Sequence, residues 1–312
     1  MTYRQAELLL AAVIIARATS FLAIMLTLGS FDTFNIMAMR FCIAFLCLVP
    51  FVFRHLKNID KSTLRHGIIL GAIFFLVIAS ELTALDMTEN SSTVSFLENT
   101  AIVMVPVAEA LIRRKKPEKS TILCSAVALA GVGILLMGNK RMELNLGIAM
   151  CICTAILYTL YIILTDRLSH KDDPLILGFI TIGTVGILSF TASMLFEDPR
   201  LPQTTNEWIG VAFLAVVCGS IGTALQPAAQ RRIPSEKVSL FCALSPLTAC
   251  ALGWLFLGEW QGPTGVIGAA LILSGIILSN NKAPRDGGFV NSIKNMQFFK
   301  SKLLLRSHKS AD

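Results

Sequence analysis

Five ionisable side chains interrupt long apolar runs: Arg17, Arg40, Glu81, Glu98 and Glu109. In lipid each such group costs about 2.5–3.5 kcal/mol on insertion scales, so it must face a partner, water or a charged ligand. A guanidinium so placed can hold a carboxylate through paired N–H donors. A carboxyl so placed can take up and release a proton. Arg17 is therefore read as the contact for an anionic group of a substrate, with Ser20 on the same helical face at i, i+3. Glu98 is read as a proton-coupling carboxylate. Asn99 follows it about 100° round the helix, so only one of the two points squarely inward. Arg40, Glu81 and Glu98 also admit a structural reading, in which Arg40 pairs with either acid and locks helices together. Glu109 stands four residues before Arg113 and reads as a surface ion pair at the inner end of a helix.

Uncharged polar residues add a second layer. Thr154, Tyr158, Tyr161 and Thr165 recur at i, i+4, i+7 and i+11, one face of a helix that borders either a cavity or another helix. Gln226 is a ligand contact or a cap, and Trp254 belongs to a site, to the core or to an interfacial belt. Pro106 and Pro246 lie within apolar runs, where each frees a carbonyl, as a gating hinge or as a static kink. Gly67, Gly71, Gly131, Gly133, Gly265, Gly268 and Gly275 read as close helix packing. HExxH, a P-loop and a nucleophile elbow are absent, and all four histidines fall outside the apolar runs. The expectation is no enzyme, no cofactor and no metal.

These residues need elements long enough to carry them. Of 312 residues 54% are apolar and 15% charged, too apolar for a soluble enzyme. A bilayer core about 30 Å thick takes roughly 20 residues of helix. Ten such runs are present: 7–28, 34–53, 67–84, 92–112, 121–138, 146–165, 175–196, 208–225, 239–257 and 262–280. Short breaks such as Gly29–Thr33 and Asp172–Pro174 make neighbours antiparallel. With the N-terminus in the cytoplasm, 22 Lys and Arg fall inside and three outside, which places both termini inside. The net charge of +7 is thereby explained without nucleic acid. The eight cysteines sit in apolar runs as small hydrophobes. Residues 282–312 form a basic tail, either an amphipathic helix on the anionic inner leaflet or plain disorder.

The two halves repeat. A shift of 144 residues places Val94-Ser95 on Val238-Ser239, Leu111 on Leu255, Ala126 on Ala270 and Gly131 on Gly275. The breaks after these helices, Arg113–Pro117 and Leu257–Gln261, differ sharply in charge. Five spans per half is odd, so the second half enters inverted, as in secondary transporters with a midplane site.

In order along the chain, Met39-Arg40-Phe41, Ala155–Tyr161, Leu225–Pro234, Ser245-Pro246, Gly253–Glu259 and Gly268–Gly275 resemble the drug/metabolite transporter superfamily, EamA type. The resemblance implies ten helices and the export or exchange of small metabolites, amino acids or drugs. It places Arg17 and Ser245 at the central cavity. It also shows departures: Ala16-Arg17-Ala18-Thr19 stands where the family often has Trp-Gly, Ser245-Pro246 replaces its Glu-Pro, and Lys115 sits where the repeat places Glu259.

The expected fold is all-α, a polytopic membrane protein of ten transmembrane helices in two inverted five-helix repeats, 1–140 and 141–281. The expected function is secondary transport by alternating access in the inner membrane. Its partners are a small-molecule substrate, the lipid bilayer and a coupling proton; a homodimer is compatible with it. A scaffold or sensor, or a channel, are the rival readings. A scaffold would pair every buried charge, and a channel would have a continuous polar pore.

Overall fold

The structure is a computed structural model that describes residues 2–27, 31–53, 59–88, 96–114, 116–136, 146–257 and 262–282. The tail from 283, the 258–261 connection with Glu259, and Lys115 lie outside the described residues. Ten helical rods follow one another: α1 Tyr3–Thr27, α2 Thr33–Val52, α3 Lys61–Thr88, α4 Ala101–Arg113, α5 Lys119–Leu136, α6 Leu146–Ser169, α7 Pro174–Phe196, α8 Thr205–Gln230, α9 in two pieces (Ser235–Phe241 and Leu244–Leu257) and α10 Gly262–Lys282. Local chemistry sets several ends. Asp173 caps α7 by accepting from the Leu175 and Ile176 amides, with Pro174 at the first helical position. Thr204 and Glu207 form a reciprocal capping box on α8. Arg114, at φ 51°, closes α4 in the left-handed conformation.

Among the described residues, seven helices are long and apolar enough to cross a membrane. Their outer faces carry exposed large apolar side chains, such as Ile187, Phe190, Met194, Leu195 and Phe196 on α7. Such faces are stable against acyl chains and not against water.

The repeat is visible in the packing. Gly131 of α5 meets the Gly268 carbonyl and the Ile272 amide of α10, and Gly275 meets the Cys124 carbonyl and the Ala128 amide. Numbers fall along α5 as they rise along α10, so these helices are antiparallel. A shift of 144 with exchange of partners converts one glycine's contacts into the other's. The same axis passes through α2 and α7, where Cys42 Sγ donates to the carbonyl of its own equivalent, Gly186, at 3.6 Å. Phe45 stacks on Phe179 at 4.4 Å in the same antiparallel sense. Equivalent helices that pack antiparallel across a two-fold axis define an inverted repeat. Without a Cβ at 131 and 275 the α5 and α10 backbones touch, which is how helices associate where lipid supplies no hydrophobic drive.

Both α4 and α9 are interrupted at matching places, Asn99-Thr100 and Cys242-Ala243. Neither interruption coincides with the prolines expected to mark it. Pro106 lies inside α4, and the Ile102 carbonyl it leaves free accepts from Ser239 Oγ at 3.5 Å. Pro246 lies in the first turn of the second α9 piece, where its missing N–H leaves little unmet. The Cys242 carbonyl it frees accepts from the Ser245 amide at 2.9 Å.

Candidate functional site

Arg17 lies mid-way along α1 and projects into the bundle. Its Nη1 donates to Gln226 Oε1 at 3.0 Å and to Tyr158 Oη at 3.5 Å. Its guanidinium stands over the Phe74 ring at 5.2 Å and the Tyr158 ring at 5.9 Å. The contacts come from α3, α6 and α8, so both halves of the chain converge on one cation. Phe74 stacks on Tyr161 at 4.7 Å, which in turn stacks on Tyr158 at 6.3 Å. This aromatic shelf fixes the guanidinium face while leaving edge donors for a ligand.

The backbone of α8 makes that geometry. Residues Leu214–Ile221 form a π-helical stretch, whose wider turn admits a close neighbour. Ser220 Oγ and Thr223 Oγ1 donate to the Ala215 and Cys218 carbonyls, each five residues back. Cys218 Sγ donates to the Ala16 carbonyl at 3.1 Å, tying the stretch to the turn of α1 that carries Arg17. Gly222 completes the seat: a Cβ there would lie 2.8 Å from Arg17 Cγ. Pro227 then interrupts the hydrogen bonding of α8 and starts the short turn Gln226–Gln230 that presents Gln226.

Arg40 lies on α2, Glu81 on α3 and Glu98 in the helical turn before α4. Among the described residues neither acid forms a salt bridge with Arg17 or Arg40. The structural pairing of Arg40 with an acid is thus absent: its guanidinium lies over the Phe41 ring at 4.9 Å, and its buried Nε has no hydrogen-bond partner. All four charged residues lie deep among the helices, yet each keeps part of its side chain unburied.

The other candidates divide. Tyr158 and Gln226 belong to the cluster. Tyr161 belongs to its aromatic shelf and is itself buried. Ser20 shares the Arg17 face, but its hydroxyl donates to the Arg17 carbonyl at 2.6 Å. Thr154 is fully buried and sits 2.9 Å from Ser80 Oγ of α3, so it serves helix–helix contact and not a wall. Asn99 is buried in the α4 interruption, and Ser245 is half-buried in the α9 turn. Trp254 is placed elsewhere: it is 54% exposed beside exposed Leu255 and Phe256, on the outer surface where an interfacial aromatic belongs. Phe74, Gly222 and Cys242 emerge only here. Cys242 stands 3.4 Å from Tyr158 Oη.

The bundle end that carries the N-terminus is closed by charge. Glu109 is 0% exposed and accepts from Arg113 Nε at 2.6 Å and Ser235 Oγ at 3.1 Å, with Arg167 Nη2 at 3.7 Å. The expected i, i+4 pair is present, but Glu109 is buried and not on the surface, because Arg167 and Ser235 converge on it in a network joining α4, α6 and α9. Lys237 adds α1 to it through Glu7 and through Tyr3 Oη at 3.2 Å.

Comparison with known proteins accords with this architecture. The profile of the EamA-like transporter family matches residues 4–137 and again 145–281. A protein of Archaeoglobus fulgidus named an uncharacterized transporter is 24% identical over 279 residues, covering 89% of this chain and 97% of its own. A second from that organism, named likewise, is 24% identical over 273 residues, 88% of this chain and 85% of its own. The uncharacterized transporter YwfM of Bacillus subtilis is 21% identical over 193 residues, 59% of this chain and 62% of its own. A crystal structure with 17% identity superposes with a TM-score of 0.77 over 89% of this chain and 97% of that chain, which establishes a shared fold. Two family matches over nearly the whole chain, an inverted ten-helix bundle and a charged centre held by both halves lead to one conclusion: the chain belongs to the EamA-like transporter family of the drug/metabolite transporter superfamily, and it is a multi-pass membrane transporter and not an enzyme.

Proposed function

We propose that this transporter moves a small metabolite, amino acid or drug-like solute with an anionic group, outward or by exchange, through alternating access at Arg17. The carrying observation is the guanidinium of α1 held by Gln226 and Tyr158 of the other half. A solute bound there would bridge the two repeats, so its binding energy would bear on their relative packing. The Glu109 and Lys237 networks support a resting state closed at the end with the N-terminus. We place that end in the cytoplasm of an inner-membrane protein from the charge bias, take 1–140 and 141–281 as the moving repeats, and take a proton as the coupled ion. A homodimer is compatible with this reading. A scaffold accounts less well for Arg40 Nε, which is buried with no hydrogen-bond partner.

Counterflow in proteoliposomes over a metabolite panel tests this, with Arg17→Ala alongside. The expected result is accumulation of a carboxylate-bearing solute by the wild type and its loss in the variant. Unchanged counterflow in a folded Arg17→Ala protein would remove Arg17 from the solute path.

A further inference from the structure

Gln230 is the last residue of α8 and of its final turn, Gln226–Gln230. It is fully buried, and among the described residues neither its amide nitrogen nor its amide oxygen has a hydrogen-bond partner. A carboxamide brings two donors and an acceptor, and burying them unpaired is unfavourable. An apolar side chain of similar length would cost less in this packing. Groups kept against stability in this way are expected where function needs them. The placement of Gln230 supplies such a need. It follows Gln226 by four residues, so it lies on the same helical face about 6 Å further along the axis. Gln226 accepts from Arg17 at 3.0 Å. Five residues beyond Gln230, Ser235 Oγ donates to Glu109 at 3.1 Å, in the network that closes the end with the N-terminus. Gln230 therefore stands between the Arg17 contact and that closed end. The turn packs on α1, α6 and α7, and the α6 stripe of Tyr158 and Tyr161 continues toward the same end as Thr165, also fully buried. The Gln230 carbonyl accepts from the Ile233 amide at 3.1 Å, so one tight turn links Gln230 to the segment bearing Ser235 and Lys237.

We propose that Gln230 is a second contact for the solute, made when the end with the N-terminus opens: the anionic group rests at Arg17, and an uncharged hydroxyl or amide of the same solute pairs with the Gln230 carboxamide. This rests on the reading of Arg17 as the solute contact and of that end as closed here. The spacing narrows the substrate class. One helical turn is about 6 Å, which suits a carboxylate whose hydroxyl or amide stands about three carbons away. The contact also depends on the state of the carrier. In the closed packing the carboxamide is dry and unpaired; in the open packing the solute satisfies it. A ligand that makes a contact in only one arrangement favours that arrangement. The solute thereby stabilises the packing open toward the N-terminus, and it loads from that end at lower concentration than an anion lacking the hydroxyl or amide.

Two measurements on the full-length protein in lipid test this. The first needs no solute. An impermeant maleimide is applied at the end with the N-terminus to chains whose sole cysteine comes from Gln230→Cys or from Ala229→Cys. Ala229 is equally buried but lies about 100° round the helix. Adding Glu109→Gln should speed labelling at position 230 about tenfold and leave position 229 unchanged. No acceleration at 230, or equal acceleration at 229, overturns a passage along Gln230. The second uses a Glu109→Gln chain with Cys242 as its sole cysteine, and finds the concentrations of butyrate and 4-hydroxybutyrate that halve the labelling of Cys242. With Gln230 in place, 4-hydroxybutyrate should act at about fivefold lower concentration than butyrate. In Gln230→Met the two should act at equal concentration, and the variant should unfold at the same temperature or higher. Equal action with Gln230 in place, a preference that survives Gln230→Met, or a lower unfolding temperature, the outcome for a purely structural glutamine, overturns the contact. If neither compound protects, the Arg17 reading fails and the two-point contact falls with it. Labelling at 230 needs no anion, so the two failures are distinguishable.

Discussion

Glu109 is the residue at which a conservative change should most directly open one end of the bundle. Glu109→Gln keeps the shape and removes the charge that Arg113, Arg167 and Ser235 converge on. Hydrogen bonds to charged groups contribute about 1.5–3 kcal/mol each. Arg113 and Arg167 are 42% and 41% exposed, so both recover hydration when the carboxylate is lost, and most of their share is screened. What remains is the buried amide in a site built for an anion, about 1.5 kcal/mol against the closed arrangement, or roughly tenfold in the ratio of closed to open. Cys242 reports this, because it is buried beside Tyr158 at the centre. In a chain with Cys242 as its sole cysteine, an impermeant maleimide applied at the end with the N-terminus should react about tenfold faster in Glu109→Gln. Ser235→Ala, which removes one neutral donor, should accelerate it only a few-fold. An unchanged or slower rate in a folded Glu109→Gln protein would show that this network does not hold the end shut.

Further outcomes follow from single contacts. Gly222→Ala places a methyl 2.8 Å from Arg17 Cγ, so counterflow should fall severalfold and thermal stability by about 1–3 kcal/mol; wild-type transport would show that the π-helical seat does not set Arg17. Gly275→Val separates α5 from α10 at the Cys124 carbonyl, 2.9 Å from the would-be Cβ, and should lower the unfolding temperature in detergent at a cost of about 1–3 kcal/mol. Tyr158→Phe removes the hydroxyl shared by Arg17 and Cys242; half-saturation should weaken about fivefold, for roughly 1 kcal/mol, with little change in stability. Trp254→Ala should leave half-saturation within about twofold, because the residue lies on the outer surface; a larger change would put it back at the site.

Much of the site was legible because lipid makes charge conspicuous. Arg17 and Glu98 stand out in apolar runs whatever the fold, and Tyr158 stands out by helical spacing. Phe74 carries no such signal: it is one of 19 phenylalanines, distinguished only by what lies across from it. Trp254 shows the converse. A tryptophan in an apolar span can face solute or lipid, and spacing along one helix does not tell which. The Thr154 stripe was ambiguous for the same reason, and α3 resolved it by supplying Ser80.

The ten helices and the inversion of the halves follow from sequence alone. Each depends on hydropathy, length and charge bias, which are local sums over the chain. The partners of the charges do not follow from it. Both acids were equally available to Arg40 by depth, and the packing instead left Arg40 over Phe41 and brought Arg17 to Gln226, 209 residues away. Depth in a bilayer is one coordinate that a sequence can encode; the angle at which each helix turns its face to its neighbours is set only when all ten pack together.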